Sequence, residues 1–501
     1  MTTAEWTVRV PTEGSVELPP DSRTMEAIGR NHSFETALAD LVDNSIDADA
    51  TNVLIRFVRD RGRLCSLYVV DNGRGIAPDR IDDAMTVGGR RAYGDADLGW
   101  FGLGLKAASF SQARELTVLS RAPGAPAVGR RWRLDEARTG FLCDVVPELF
   151  ADRELAQDRG LPATGGGTIV RWDQVGGFPA TTDERLVERF VTQKVTTACN
   201  HLGLVFHRLI ERGRVTIAFD VHEAGSAAST SPVTVEPINP FHYHRTGATG
   251  FPKDLNATVD GRSLSFRCHI WPPRSTARQF KLNGRPADHQ GMYFYRRDRL
   301  LQPGGWEGVH APHPKLQLAR VEVEIDSDVE AFLRMNPEKS RVQVRPEFGQ
   351  ACESARADDG STFADYFYQA EQVYQAGNKR RTSRKPMIPP GRGFTPGLRD
   401  TLESEIEALK ADPVDIRWRD FDDDQFFDID RDEQTIWLNK RYRKMLLGDR
   451  HGGLNDLPLI KTLIYLLMED VFQGEYLGSR DKDNIELWKS VLTTAVRAER
   501  R

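Results

Sequence analysis

Residues 33–48 read Ser33-Phe34-Glu35-Thr36-Ala37-Leu38-Ala39-Asp40-Leu41-Val42-Asp43-Asn44-Ser45-Ile46-Asp47-Ala48. Ser33 is a residue that caps helix N-termini, and Phe34, Ala37, Leu38, Leu41, Val42 and Ile46, with small Ser45, recur at helical spacing. A helix with one buried stripe is therefore predicted. The opposite face is unusual. Asp40, Asn44 and Asp47 fall at i, i+4 and i+7 and stack there, with Asp43 close by. Taken alone, such a face reads as a solvated acidic surface. An Asn amide oxygen flanked by carboxylates is also what holds Mg²⁺ through oxygen and water, with one carboxylate left to orient an attacking water.

Downstream, residues 67–70 form a β-type run ending in Asp71-Asn72-Gly73-Arg74-Gly75, where Gly73 and Gly75 permit a sharp turn and leave room for a planar ligand. Asp71 is placed to accept a hydrogen bond, although a plain strand-ending turn needs the same residues. Next comes Gly99-Trp-Phe-Gly102-Leu103-Gly104-Leu105-Lys106-Ala-Ala-Ser109, glycines running straight into a helical pattern. Gly-rich backbone at a helix start offers unpaired N–H groups and a positive dipole end to phosphate, and Lys106 adds a point charge. The preceding residues 87–98 lack strong periodicity and suit a lid over a bound nucleotide. Gly165-Gly166-Gly167-Thr168 opens a further strand, and its hydroxyl is a candidate for reaching a base.

Around these elements, residues 53–58, 67–70, 116–120 and 168–172 are strand-like and spaced for one mixed sheet, giving a first domain over 21–180 behind a strap at 1–20. A helix toward residue 209 leads into strand-rich sequence at 215–221, 265–270, 291–295 and 319–325, a second α+β domain over 181–348. Residues 349–397 hold a helix at 365–376 followed by a basic, flexible Pro/Gly linker from 378 to 397; a hairpin is expected around Asp430 to Glu433 within 398–501, a third, mainly helical α+β domain. Its most apolar stretch, 457–472, is interrupted by Lys461, Glu469 and Asp470 and reads as a core helix.

The 501 residues are too many for one core, and 39% apolar with 28% charged is an ordinary globular balance. A net charge of −5 excludes a chain that is basic all over, leaving nucleic-acid binding to local clusters. Cys65, Cys143, Cys199, Cys268 and Cys352 are scattered, which suggests neither a zinc site nor a disulfide framework, and a cytoplasmic setting is expected. No secretory signal or membrane span is read.

Taken in order, the four elements resemble the GHKL superfamily of ATPases, which includes MutL, type II topoisomerase ATPase subunits, the ninety-kilodalton heat-shock chaperones and MORC proteins. The resemblance implies an α+β chain with an N-terminal GHKL (Bergerat) α/β sandwich and a transducer domain of ribosomal-protein-like β-α-β type. It implies ATP and Mg²⁺ as ligands. Asn44 would bind Mg²⁺, Asp47 would lie in the pocket, and Asp71 would read the adenine amino group. Gly73 and Gly75 would shape the base pocket, residues Gly99, Gly102, Leu103, Gly104, Leu105 and Lys106 would wrap the phosphates, and Thr168 would support Asp71. The family usually carries Glu four residues before the Asn, where this chain has the shorter Asp40.

Gly291-Met-Tyr-Phe-Tyr-Arg-Arg-Asp-Arg299-Leu-Leu and Asn336-Pro-Glu-Lys339-Ser-Arg341 resemble transducer segments of MORC and MutL, the second implying that Lys339 reaches the γ-phosphate. The likeness is greatest to prokaryotic MORC-like proteins of restriction and phage-defence systems. It implies an ATP-dependent homodimeric clamp on double-stranded DNA, with defence-system proteins as partners. Arg130-Arg131-Trp132-Arg133, Arg296-Arg297 with Arg299, and the basic residues 379–385 are the candidate DNA contacts. A chaperone-like ATPase and a slow nucleotide-binding scaffold remain the alternatives.

Overall fold

The computed structural model describes residues 32–86, 104–134, 142–162, 165–226, 229–335, 342–379, 386–406, 408–409, 411–473 and 476–499. The chain divides into two compact units. The first comprises Met1–Asn239, Phe294–Gln302 and Glu324–Arg345, the second Pro240–Tyr293, Pro303–Val323 and Pro346–Arg501.

In the first unit, the helix predicted from Ser33 onward is α1 (Phe34–Asp47), and the Ser33 hydroxyl accepts the Thr36 N–H at 3.3 Å as its cap. It leads into β1 (Asn52–Asp60) and β2 (Arg63–Asp71), then α2 (Ile81–Met85), α3 (Gly104–Gln112), β3 (Ala113–Arg121), β4 (Val128–Arg133), β5 (Asp144–Val146), α4 (Glu148–Leu155) and β6 (Gly167–Val175). After α5 (Glu184–Val205) and α6 (His207–Glu211) come β7 (Thr216–Glu223) and β8 (Val233–Thr234).

The eight strands make one sheet in the order β5-β4-β3-β6-β2-β1-β7-β8, antiparallel except where β1 runs parallel to β7. Strand alternation sends Val53, Ile55 and Phe57 of β1 to one face, where they meet Phe34, Leu38 and Leu41 of α1 and Val187 and Leu202 of α5. Leu54 and Val70 point to the other face, against Ala151 of α4. The fold is a two-layer α+β sandwich whose main core lies between the sheet and α1, α3 and α5.

Two expectations are corrected. The strand expected at 215–221 in a second domain is β7, and it belongs to the first sheet. Its partner is β1, in a register that sets Arg56 opposite Asp220, and the two side chains form a buried bidentate ion pair at 2.9 and 2.6 Å. The Pro/Gly stretch expected as flexible linker is packed from residue 386 onward. Ile388 and Phe394 are buried in the C-terminal core, and Gly391 N–H donates to the Val414 carbonyl at 2.8 Å. Residues 380–385 lie outside the described residues.

The second unit contains the antiparallel strands Lys253–Val259 and Arg262–Ile270, the latter also pairing with Ala319–Glu324 at Ile270↔Ala319 through Arg267↔Glu322. Helices Pro346–Ser354 and Phe363–Lys379 cover this ladder through Phe348 and Phe363, both in edge contact with Phe266. Beyond residue 386, Asp415–Arg419 runs parallel to Thr435–Asn439, which pairs antiparallel with Phe427–Asp430 as a hairpin. Helix Pro458–Met468 buries Ile464, Tyr465 and Met468, while Leu459, Leu463, Leu466 and Leu467 stay exposed.

Candidate nucleotide-binding site

β2 ends at Asp71, which stands opposite Thr168 of β6. Its Oδ1 accepts the Gly73 N–H at 2.9 Å and its Oδ2 the Ser45 hydroxyl at 3.1 Å, and a backbone bond from Thr168 adds to these. Burial is the larger influence and pushes the carboxyl up to about 6. The Thr168 hydroxyl itself shares a 2.8 Å bond with Ser120, whose oxygen also accepts the Ile76 N–H at 2.8 Å. The β2 end, the 72–76 loop and the β6 start are thereby tied into one floor. Asn72 closes it from below, its side-chain oxygen accepting the Thr51 and Asn52 N–H groups at 3.0 and 2.9 Å.

The glycines serve close backbone approach. A methyl on Gly73 would come within 2.7 Å of the Ala48 carbonyl, and one on Gly75, whose φ is +66°, would collide with the Arg121 carbonyl. These two residues let the floor pack against the end of α1 and against β3.

α1 supplies the wall. Asn44 is exposed, Asp47 is half-buried, and Asp40 and Asp43 are buried, so the carboxylate face is not a solvated surface. Asp43 accepts the Arg299 Nε–H at 2.7 Å, Arg299 Nη2 stands 3.9 Å from Asp40 Oδ1, and His32 Nδ1 stands 3.6 Å from Asp40 Oδ2. His201 lies in the same surroundings, its imidazole pushed down to about 4 by burial and then by the Arg299 charge.

α3 begins at Gly104, where an added methyl would meet no atom within 4 Å, and Leu105 packs toward the core. Lys106 is buried and its ammonium donates to the Ala84 carbonyl at 2.6 Å. Gly99, Gly102, Leu103, the lid at 87–98 and Lys339 lie outside the described residues. The structure thus brings together Asp40, Asn44 and Asp47 on one helix, and joins Asp71 to that helix through Ser45. Ser45, Ser120, Asn72 and His32 were not singled out as functional from the sequence. The one available signal was a hydroxyl inside the apolar stripe of α1.

Residues 32–140 match the family described as histidine kinase-, DNA gyrase B- and HSP90-like ATPase. The chain carries a GHKL-type ATPase domain. It is also similar to ATPase morc-1 of Caenorhabditis elegans, 34% identical over 120 residues, a stretch covering 23% of this chain and 14% of that relative.

The residues fit a magnesium nucleotide. Among the described residues no group of three or more His, Cys, Asp or Glu is placed to hold a metal ion. A magnesium ion here would be held by the Asn44 amide oxygen, water and phosphate oxygens, the donor set this small hard cation takes with nucleotides. No helix among the described residues is long and apolar enough to cross a membrane.

Several residues of two expected DNA-contact clusters have partners within the chain. Arg130 pairs with Asp82 at 2.7 Å, Arg131 with Glu115, and Arg133 with Asp144 at 2.8 Å, while Trp132 is buried. Arg299 is held on Asp43. The 379–385 stretch falls almost wholly outside the described residues.

Proposed function

We propose that the GHKL domain binds Mg²⁺-ATP and hydrolyses it, and that the cycle opens and closes a homodimeric clamp of MORC type. The observation that carries this reading is the pairing of a buried acceptor, Asp71, with an exposed amide, Asn44, on a helix joined to it through Ser45. Asp71 accepts a hydrogen bond from the base amino group, and the Gly73 N–H beside it fixes which carboxylate lone pairs remain for that purpose. Asn44 would hold the magnesium ion, and that ion would supply neutralisation of the charge on the phosphate oxygens. Asp40, one turn earlier on the same face, orients the attacking water. A Cβ at Gly104, the first residue of α3, would meet no atom within 4 Å, which supports phosphate binding at the start of this helix.

Double-stranded DNA is the proposed substrate of the clamp and a defence or restriction assembly its setting. The support is the MORC likeness and the basic composition of 379–385. A second reading, a slow nucleotide-binding scaffold, draws on one observation: Asp40 is bracketed by Arg299 and His32.

The deciding experiment measures ATP affinity and phosphate release for wild type and Asn44→Ala, with and without double-stranded DNA at low salt. Wild type should bind and hydrolyse ATP, and Asn44→Ala should lose Mg²⁺-dependent binding. Equal nucleotide affinity in the two proteins sinks the site assignment. Binding without phosphate release selects the scaffold, and absence of DNA binding at every nucleotide state removes the clamp's proposed substrate.

A further inference from the structure

We infer that Arg299 is a positioning residue for Asp40, through which the segment Phe294–Gln302 sets the competence of the ATP site. The inference rests on the ATPase reading above and assigns that site an internal control.

Strands Gly291–Arg296 and Arg299–Pro303 meet at Arg297 and Asp298, both with left-handed backbone, φ +51° and +66°. The turn delivers the next residue, Arg299, as a buried guanidinium against α1. A buried arginine is costly unless its charge is met, and here Asp43 meets it with a 2.7 Å hydrogen bond from Nε while being itself almost wholly excluded from solvent. That contact fixes where the planar group lies. Its Nη2 then stands 3.9 Å from Asp40 Oδ1, within ion-pair range and beyond a hydrogen bond. Asp40 Oδ2 has His32 Nδ1 at 3.6 Å on its other side. Both oxygens are bracketed, and the direction in which the carboxylate presents itself follows from where Arg299 is held.

The hairpin is gripped independently of Arg299. Asp298 pairs with Arg208 and Arg212, Glu324 pairs with Arg208, and the Arg208 guanidinium lies 3.5 Å over the Tyr295 ring, which stands edge-on to His207. At both ends, at Tyr293 and at Pro303, the chain passes into the second unit. Arg299 thus lies in a short segment that is covalently joined to the second unit at both ends. Misplacement of a catalytic group by about 1 Å is worth roughly 10²-fold in rate, so a small displacement of the guanidinium is enough to switch Asp40.

A purely structural ion pair makes a different prediction, which the double variant R299Q/D43N separates. It replaces two charges with two amides, and because the Gln amide nitrogen stands about where Arg Nε does, the two can still bond each other. ATP affinity should stay within about threefold of wild type and kcat should fall by at least about tenfold. Arg299→Lys keeps a counterion for Asp43 but loses the planar fork that reaches Asp40, and kcat should again fall at unchanged ATP affinity. A folded R299Q/D43N protein with wild-type kcat overturns the inference. If that protein does not fold, Arg299→Lys decides alone, and wild-type kcat in it overturns the inference equally. Wild type that binds ATP without hydrolysing it fails the ATPase reading and takes this inference with it, so the two failures are told apart by the wild-type control.

Discussion

Asp71 is subject to two opposed demands. Reading a base amino group needs an ionised acceptor, yet burial has pushed the carboxyl up to about 6, roughly two units above an unfolded Asp. Between about pH 4 and 6 the folded chain holds a proton that the unfolded chain has lost. Stability is therefore fullest at low pH and is lost as pH rises through 6, in all about 3 kcal/mol by pH 8. Asp71→Asn keeps an oxygen for the Gly73 N–H and removes the charge. Calorimetry on the nucleotide-free protein should show it more stable than wild type at pH 8, by up to about 3 kcal/mol, with the gain vanishing toward pH 4. Its ATP affinity should drop by about tenfold or more, since an amide can present a donor where an acceptor is needed. No gain at pH 8 would contradict the burial argument. Gly104 offers the complementary case, a residue with free space where a methyl would go. Gly104→Ala should leave stability unchanged or raise it by a few tenths of a kcal/mol, because Ala is the better helix former. If α3 receives phosphate, the same methyl should weaken ATP binding, and an unchanged affinity by titration would remove Gly104 from the cradle.

Elements that declare themselves by local pattern were legible, and those made by distant pairing were not. α1 follows from its stripe and its Ser33 cap, and β1, β2, β3 and β6 from alternation, their observed ends extending only a few residues past the expected ones. β7 carries the same alternating signal, but nothing local says that its partner is β1, more than 150 residues away. Residues 386–397 look like linker by composition, and only tertiary contact reveals that Ile388 and Phe394 fill the C-terminal core. At the site, the carboxylate-amide face of α1 and Asp71 could be read directly. Ser45 counted as a small stripe residue and Arg299 as a surface cation, because neither partner is near in sequence. The β1–β7 join is testable through its buried pair. Asp220→Ala leaves the Arg56 guanidinium buried without its carboxylate and should cost about 3–5 kcal/mol in urea unfolding. The double variant R56M/D220L should recover most of that loss, and an Asp220→Ala protein as stable as wild type would show that the pair does not hold β7 to the sheet.

At the scale of the whole molecule, the chain passes between the two units five times, at 239/240, 293/294, 302/303, 323/324 and 345/346. In the proposed cycle the closed dimer persists for as long as ATP is intact, so any block placed after binding should raise its population. Asp40→Asn is such a block. Asn44 keeps its amide oxygen, so ATP affinity should remain near that of wild type, while phosphate release slows by a factor on the order of 10²–10⁴ if Asp40 orients or deprotonates the water. Light scattering with ATP should then show Asp40→Asn as a dimer while wild type returns toward its nucleotide-free state, and wild type given a non-hydrolysable analogue should match the mutant. Asp40→Glu adds the methylene usual in the family and should keep or raise turnover if the Asp reaches its water only through an intervening one. Asp43 cannot take over the role, because it is closed off from solvent and bound to Arg299. An Asp40→Asn protein that hydrolyses ATP at the wild-type rate therefore leaves Glu35 and Asp47 as the other described carboxylates of α1, and because Asp47 shares the face of Asp40 and Asn44, that outcome would transfer the test to Asp47→Asn.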